Sequence, residues 1–305
     1  MHLSLSKLPY IIHSRKSCNL KKNLLKKNIP VLFEGIHTTA LINDPEINHI
    51  PKILRTHNVE HHYYRELFKN EPPGFSKYYY GVESKRLKKY ETNLNNPVIA
   101  ALSKSDTAFF RQYYKEVRYI PIFHPFEKVT SKKGSGDYVL YHGNLSVNEN
   151  IKAAAYILDE IAVSANIPFI LAGKNPHKRI YQKAENLKNV KIVANPGDAE
   201  MQELIQNAQI NLLPTFQTTG MKLKLLFALF TGRQCIVNKQ MTANTGLEDL
   251  CFTFDTTNEL LTILERCFKE PFQENEIQKR NHILQRDYNN KKGAEKIIKM
   301  AGLHD

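Results

Sequence analysis

Residues 210–248 read INLLPTFQTTGMKLKLLFALFTGRQCIVNKQMTANTGLE, and this stretch decides the fold. The run from Ile210 to Leu213 has the length and composition of a buried strand. A polar, Thr-rich turn follows over 214–220, and 221–231 has the pattern of a helix. Gly232 suits the left-handed position that closes a helix, and Cys235-Ile236-Val237 restarts as a strand. Strand, helix, strand is the building block of a parallel sheet.

The first turn of that helix holds Lys222 and Lys224 and no acid. Free N–H groups and the macrodipole make a helix N-terminus positive, so cations are disfavoured there. An anion in the turn relieves the conflict, with Gly220 permitting close backbone approach and Thr218 and Thr219 supplying hydroxyls. The alternative is two lysines that extend from an apolar helix into water. Two residues apart, they lie roughly 200° around a helix, so both cannot aim at one phosphate.

The chain has 305 residues, a length that predicts about two domains. With 42% hydrophobic and 24% charged residues it reads as a globular protein. Its longest apolar runs are too short to span a bilayer, and residues 1–10 hold no apolar core of a signal peptide. A cytoplasmic location is expected. Cys18, Cys235, Cys251 and Cys267 are widely spaced, which predicts neither a disulfide framework nor a zinc site. The net charge of +13 points to a polyanionic partner: nucleic acid, anionic lipid or a nucleotide.

In chain order, 1–28 reads as a Lys-rich amphipathic surface helix. Strands are expected at 29–33, 52–55, 98–102 and 119–123. The first two run into FEGIHTT (33–39) and RTHNVEHHYY (55–64), polar loops at the strand ends where open α/β sheets place ligands. His57, directly after a strand, reads as a hydrogen-bonding or acid–base group, or else as a histidine that satisfies its loop. Adjacent His61 and His62 do not have the spacing of a metal site. The basic stretch 77–91, interleaved with tyrosine, reads as a nucleic-acid or anionic-membrane face, or as a solvated face over a packed one. No nucleic-acid motif accompanies it.

The Lys, Ser and Gly content of 128–136 marks a domain boundary. Beyond it, strands at 138–141, 169–172 and 190–193 end in Gly143-Asn144, Gly173-Lys174 and Asn195, residue types suited to polar ligands. A helix is expected over 149–164, and basic helices over the tail 274–300.

Five segments in order resemble retaining glycosyltransferases of family 4, which have the GT-B fold: FEGIHTT, RTHNVEHHYY, YVLYHGNLSVNEN, FILAGKNP and NLLPTFQTTGMKLKLLFAL. The resemblance implies an α/β chain of two Rossmann-like domains facing a cleft. These are an acceptor-side domain over 1–127 and a nucleotide-sugar domain over 137–280, with a basic helix at 281–305. By this resemblance His57 and Lys224 are catalytic, and Gly143, Asn144, Gly173, Lys174, Asn195, Thr219, Gly220 and Lys222 bind the donor. His37, Asn58 and Glu60 lie on the acceptor side. It implies transfer of a hexosyl unit, mannosyl among the candidates, from a nucleotide-diphospho-sugar to a glycan or lipid-linked acceptor in surface-polysaccharide synthesis. Contact with an anionic membrane surface is compatible with that, and no metal, cofactor or nucleic acid is expected.

Two departures stand against the pattern. The family's paired glutamates, eight positions apart, align with Thr219 and Phe227, and the N-terminal domain is expected to be incomplete by about one βαβ unit. Both are what a catalytically degenerate relative that binds nucleotide or glycan without turnover would show.

Overall fold

The computed structural model describes residues 8–216 and 223–303. It divides into two compact units, the first comprising 8–123 with 290–303, the second 124–216 with 223–289. Each is built on a parallel sheet.

In the first unit β1 (Val31–Glu34), β2 (Lys52–Thr56), β3 (Val98–Ala101) and β4 (Val117–Tyr119) lie side by side in that order. The register sets Glu34 opposite Arg55 and Thr56 opposite Ala101, so the carboxyl ends share one edge of the sheet. Phe33, Leu54, Leu87, Ile99 and Phe110 form its core. Helices Glu60–Asn70 and Phe75–Glu91 follow β2 in the chain, and Ser103 caps the helix Lys104–Phe110 by accepting from the Asp106 N–H at 3.0 Å.

The fourth strand was expected at 119–123 and lies earlier. Its ladder closes where the Ile120 N–H meets Ala101 O at 2.9 Å, and Pro121 has no N–H to continue it. The surface helix expected over 1–28 is, in the described residues, two helices, Tyr10–His13 and Cys18–Lys27, with Ile12 fully buried. Ser17 starts the second by accepting from Leu20 N, and Asn28 ends it at φ 47°. The basic tail is divided. Glu274–Asp287 stays with the second unit, and Asn290–Met300 returns to the first, where Ile297 and Met300 pack on Ile53, Ala100 and Ile120.

The second unit carries β5 (Val139–Asn144), β6 (Phe169–Lys174), β7 (Val190–Ala194), β8 (Ile210–Leu212), β9 (Gln234–Asn238) and β10 (Phe252–Phe254) in the spatial order β10-β9-β8-β5-β6-β7. The chain builds outward from β5 to β7, then restarts with β8 on the other side of β5. That reversal is a topological switch point, where open parallel sheets leave a crevice at their carboxyl ends. The strand β10 lacked a sequence signal, being only three residues long. The helix Asn148–Tyr156 continues as a wider π-type turn over Ile157–Ala162.

Gly232 is not left-handed, since it is absent from the positive-φ glycines. Its smallness serves packing: a Cβ there would lie 2.2 Å from Asn211 Nδ2. The polar stretch 128–136 belongs to the second unit. Thr130 N donates to Phe230 O at 2.7 Å, and a Cβ on Gly136 would lie 2.3 Å from Asn207 O.

Candidate functional site

At the switch point β5 ends in Gly143 and Asn144, and β8 runs into Pro214 and Thr215. Thr215 Oγ1 donates to the Glu149 carboxylate, tying the segments after β5 and β8 together. Thr215 is also locked by Asn238, whose Oδ1 accepts from Thr215 N at 3.0 Å while its Nδ2 donates to Thr215 O at 2.6 Å.

Lys224 stands in the first turn of the described helix Leu223–Thr231, which has no acid there. Its ammonium donates to Asn150 Oδ1 at 2.6 Å and sits 5.2 Å from the centre of the Tyr141 ring. Tyr141 Oη donates to the same Asn150 Oδ1 at 3.2 Å, and Asn150 Nδ2 donates to Asn144 O at 2.9 Å. Asn150 therefore couples the lysine to the end of β5. A Cβ on Gly143 would come within 3.3 Å of Asn150 Nδ2. The ammonium is thus half-buried and held by Asn150 rather than trailing into solvent. Its partners came from no spacing rule.

His142, one residue before Gly143, is buried, and its Nε2 has no hydrogen-bond partner among the described residues. Burial, reinforced by Lys224, pushes it down to about 3, so the ring is neutral. Sequence reading passed it over.

The other residues expected on the donor side divide. Asn144 Oδ1 accepts from Ser146 N at 3.1 Å and Ser146 Oγ at 2.7 Å, so this side chain shapes its own turn. Asn195, at φ 53°, accepts from Asn175 N at 2.7 Å and braces the turn after β6. Gly173 meets a backbone requirement, because a Cβ would lie 1.7 Å from Gly143 O. Lys174 is exposed at the end of β6. Thr219, Gly220 and Lys222 lie outside the described residues. Phe227 is half-buried in the apolar cluster of Leu140, Ala172 and Ile205, its ring 4.7 Å from Phe126 and edge-on to it. At this position the chain has built core.

In the first unit a second polar group gathers after β1 and β2. His57 Nε2 donates to Glu34 Oε1 at 2.8 Å, and the Arg55 guanidinium lies 3.6 Å from the same oxygen. Arg55 is buried, donates to Pro121 O at 3.1 Å and stacks 4.1 Å above the Phe123 ring. Glu34 thus fixes the orientation of the imidazole and holds a proton on Nε2. Glu34 and Arg55 were not singled out from the sequence, although register places them opposite each other. The His37 ring is 6.1 Å from that of His57, and Gly35 at φ 86° gives it room: a Cβ there would lie 2.6 Å from His37 Cε1. Burial lowers His37, aided by Arg15.

Beside them Glu60 opens the helix Glu60–Asn70. Burial, then the charge of Glu91, pushes Glu60 up to about 7, against the pull of the Asn58 side chain bonded to it. His61 and His62 turn away from His57. His61 Nδ1 meets the Glu91 carboxyl, and the His62 ring packs against His61 at 4.2 Å and Phe109 at 5.3 Å. Among the described residues no three His, Cys, Asp or Glu converge as metal ligands, and no helix is long and apolar enough to cross a membrane. The tyrosines of 77–91 are partly committed to packing, Tyr79 and Tyr80 against Tyr64 at 6.5 and 5.9 Å, with Tyr78 exposed.

No known protein-family profile matches the chain. Its sequence is 27% identical over 234 residues to an uncharacterized 44.6 kDa protein in the cps region of Klebsiella pneumoniae, covering 73% of this chain and 60% of that one. The chain thus spans about 60% of the length of the curated relative it matches. A glycosyltransferase from Rickettsia africae superposes with a TM-score of 0.64 at 12% identity, over 98% of this chain and 83% of that one. HepE from Anabaena, solved with UDP and glucose, gives 0.61 at 13% identity, over 93% and 80%. The fold is that of the GT-B glycosyltransferases.

Proposed function

We propose that the chain is a glycosyltransferase of the retaining, family 4 kind. In this reading it moves a hexosyl unit from a nucleotide-diphospho-sugar to a glycan or lipid-linked acceptor in surface-polysaccharide synthesis. The observation that carries the reading is the Lys224 ammonium, held by Asn150 at the carboxyl end of β5 beside Gly143. HepE was solved with UDP and glucose, which makes a UDP-hexose the first donor to try, ahead of a mannosyl donor. The cps-region relative supports a polysaccharide setting. Such donors are used inside the cell, so the protein would work in the cytoplasm or at the inner face of the membrane.

In the reaction the bond from the anomeric carbon to the diphosphate breaks through an oxocarbenium-like state, and the acceptor hydroxyl oxygen bonds to that carbon as its proton passes to the departing diphosphate. Lys224 then stabilises the charge that gathers on the departing diphosphate, and a fixed cation does so without reorganising. His57, pinned by Glu34, offers Nδ1 to a hydroxyl of the sugar or the acceptor.

The test is a thermal-shift titration with UDP and GDP, followed by donor turnover with a glycan acceptor. At about a hundredfold over its dissociation constant a nucleotide stabilises by about 2.7 kcal/mol. Lys224→Ala is expected to lower transfer about a hundredfold. Stabilisation by neither nucleotide, with no turnover of any donor, would sink the reading, and stabilisation without turnover would make the chain a binder. His57→Ala with full transfer would reduce that residue to a structural one.

A further inference from the structure

The first unit carries a second polar concavity, separate from the His57 group. It is a groove of about 490 Å³ between edge strand β4 and the helix Asn290–Met300. Arg111 and Arg118 line it from one side and Lys296 and Lys299 from the other, with Glu116 the one acid among its lining residues. Among the described residues none of these four cations pairs with an acid. Four positive charges against one negative repel within a single groove, and the fold holds them there regardless. The helix is pinned by Ile297 and Met300, and Gly293 lets it approach Phe123, where a Cβ would lie 2.8 Å from the ring. Lys296 and Lys299, three apart on that helix, consequently point along one face.

We propose that this groove is a binding site for a ligand carrying two or more phosphate charges. Guanidinium forks match phosphate oxygens bidentately, and lysine ammoniums add point charge around them. The volume falls within the range of small-ligand pockets, ample for a diphosphate or a phosphorylated head group. The site is distinct from the donor crevice, which lies on the other unit. Two sources share this chemistry: a soluble diphosphate, and the head groups of an anionic phospholipid surface.

The experiment uses the full chain, the groove variant Lys296→Glu/Lys299→Glu and a charge-matched control, Lys85→Glu/Lys89→Glu, on the exposed face of Phe75–Glu91. All four lysines are exposed, so both variants are expected to fold, and melting temperatures near that of the parent check it. One arm titrates inorganic pyrophosphate calorimetrically, and the other sediments the protein with phosphatidylglycerol vesicles against phosphatidylcholine vesicles. The groove variant is expected to bind one of these probes at least about thirtyfold more weakly, since losing two cations alone implies that and the substitutions also add two negative charges, with the control within about threefold of the parent. Loss in the pyrophosphate arm assigns a soluble diphosphate, and loss in the vesicle arm a lipid head group. Pyrophosphate binding that falls with Lys224→Ala and not with the groove variant belongs to the donor site and overturns the proposal, which separates the two readings. Equal loss in both variants, binding untouched by the groove variant, or no binding of either probe to the parent overturns the proposal.

Discussion

Gly173→Ala is expected to lower the melting temperature of the second unit by roughly 6–12 °C, the shift that at least about 3 kcal/mol produces in a domain of this size. The added methyl would lie 1.7 Å from Gly143 O and 3.1 Å from Leu145 Cγ. The first neighbour is backbone, so no side-chain rotation relieves the overlap. β5 and β6 must part at Gly143 and Gly173, which face each other in register. Parting them strains the hydrogen bonds just beyond, Leu145 N to Lys174 O at 2.9 Å and Asn195 N to Gly173 O at 2.8 Å. Because Gly143 also backs Asn150 and through it Lys224, nucleotide stabilisation falls with the melting temperature. Gly197→Ala is the control. Nothing lies within 4 Å of its Cβ, and the loss of a glycine N-cap costs under about 1 kcal/mol. Equal melting temperatures for the two variants, read by differential scanning calorimetry, would refute the close-approach account.

Removing the Glu91 carboxyl is the second large effect. Glu91 is fully buried and accepts from Glu60 N and His61 N, both at 3.1 Å, at the start of a helix whose N-cap, Val59, has no side chain to do so. Glu91→Ala leaves both donors unpaired beside a cavity and is expected to cost about 2–4 kcal/mol. The pH dependence follows from the same burial. Glu91 is pushed up to about 8 from the ordinary 4.5 and Glu60 up to about 7, while burial pushes His61 down to about 4. At neutral pH the Glu91–His61 contact is then a carboxylic acid donating to a neutral imidazole. Between about 4.5 and 8 the folded state holds more carboxyl protons than the unfolded chain, so Glu91 and Glu60 contribute stability at low pH that is lost as pH rises through that window, while the depressed His61 works the other way between about 4 and 6.5 and offsets part of it. Asp106, which burial pushes up to about 6, adds in the same direction. Urea midpoints of the first unit should fall from pH 5 to pH 9, and Glu91→Gln should flatten that slope. An unchanged slope in the glutamine variant would assign the dependence to other groups.

The doubly wound character of the second half was legible in the chain because periodicity and turn residues are local. The apolar run 210–213, the restart at 235–237 and the Gly and Asn at strand ends all follow from which residues neighbour one another. The same locality explains the misses. Ladder length depends on the partner strand, so the fourth strand was placed too late, and a three-residue β10 has no pattern of its own. Glycine has several uses that look alike in sequence. Gly232 does follow the last helical residue, Thr231, but not in the left-handed conformation read for it, and its smallness makes room for the Asn211 side chain.

By itself, then, the sequence determined the α/β class, most of the strands, and the segments that end at the carboxyl edges of the two sheets. Tertiary structure alone decided which side chains meet there. Asn150 reaches Lys224 across 74 residues, Glu34 reaches His57 across 23, and Glu91 caps His61 across 30. Each pairing is set by sheet register and helix packing, long-range quantities in which a slip of one residue turns a side chain to the opposite face.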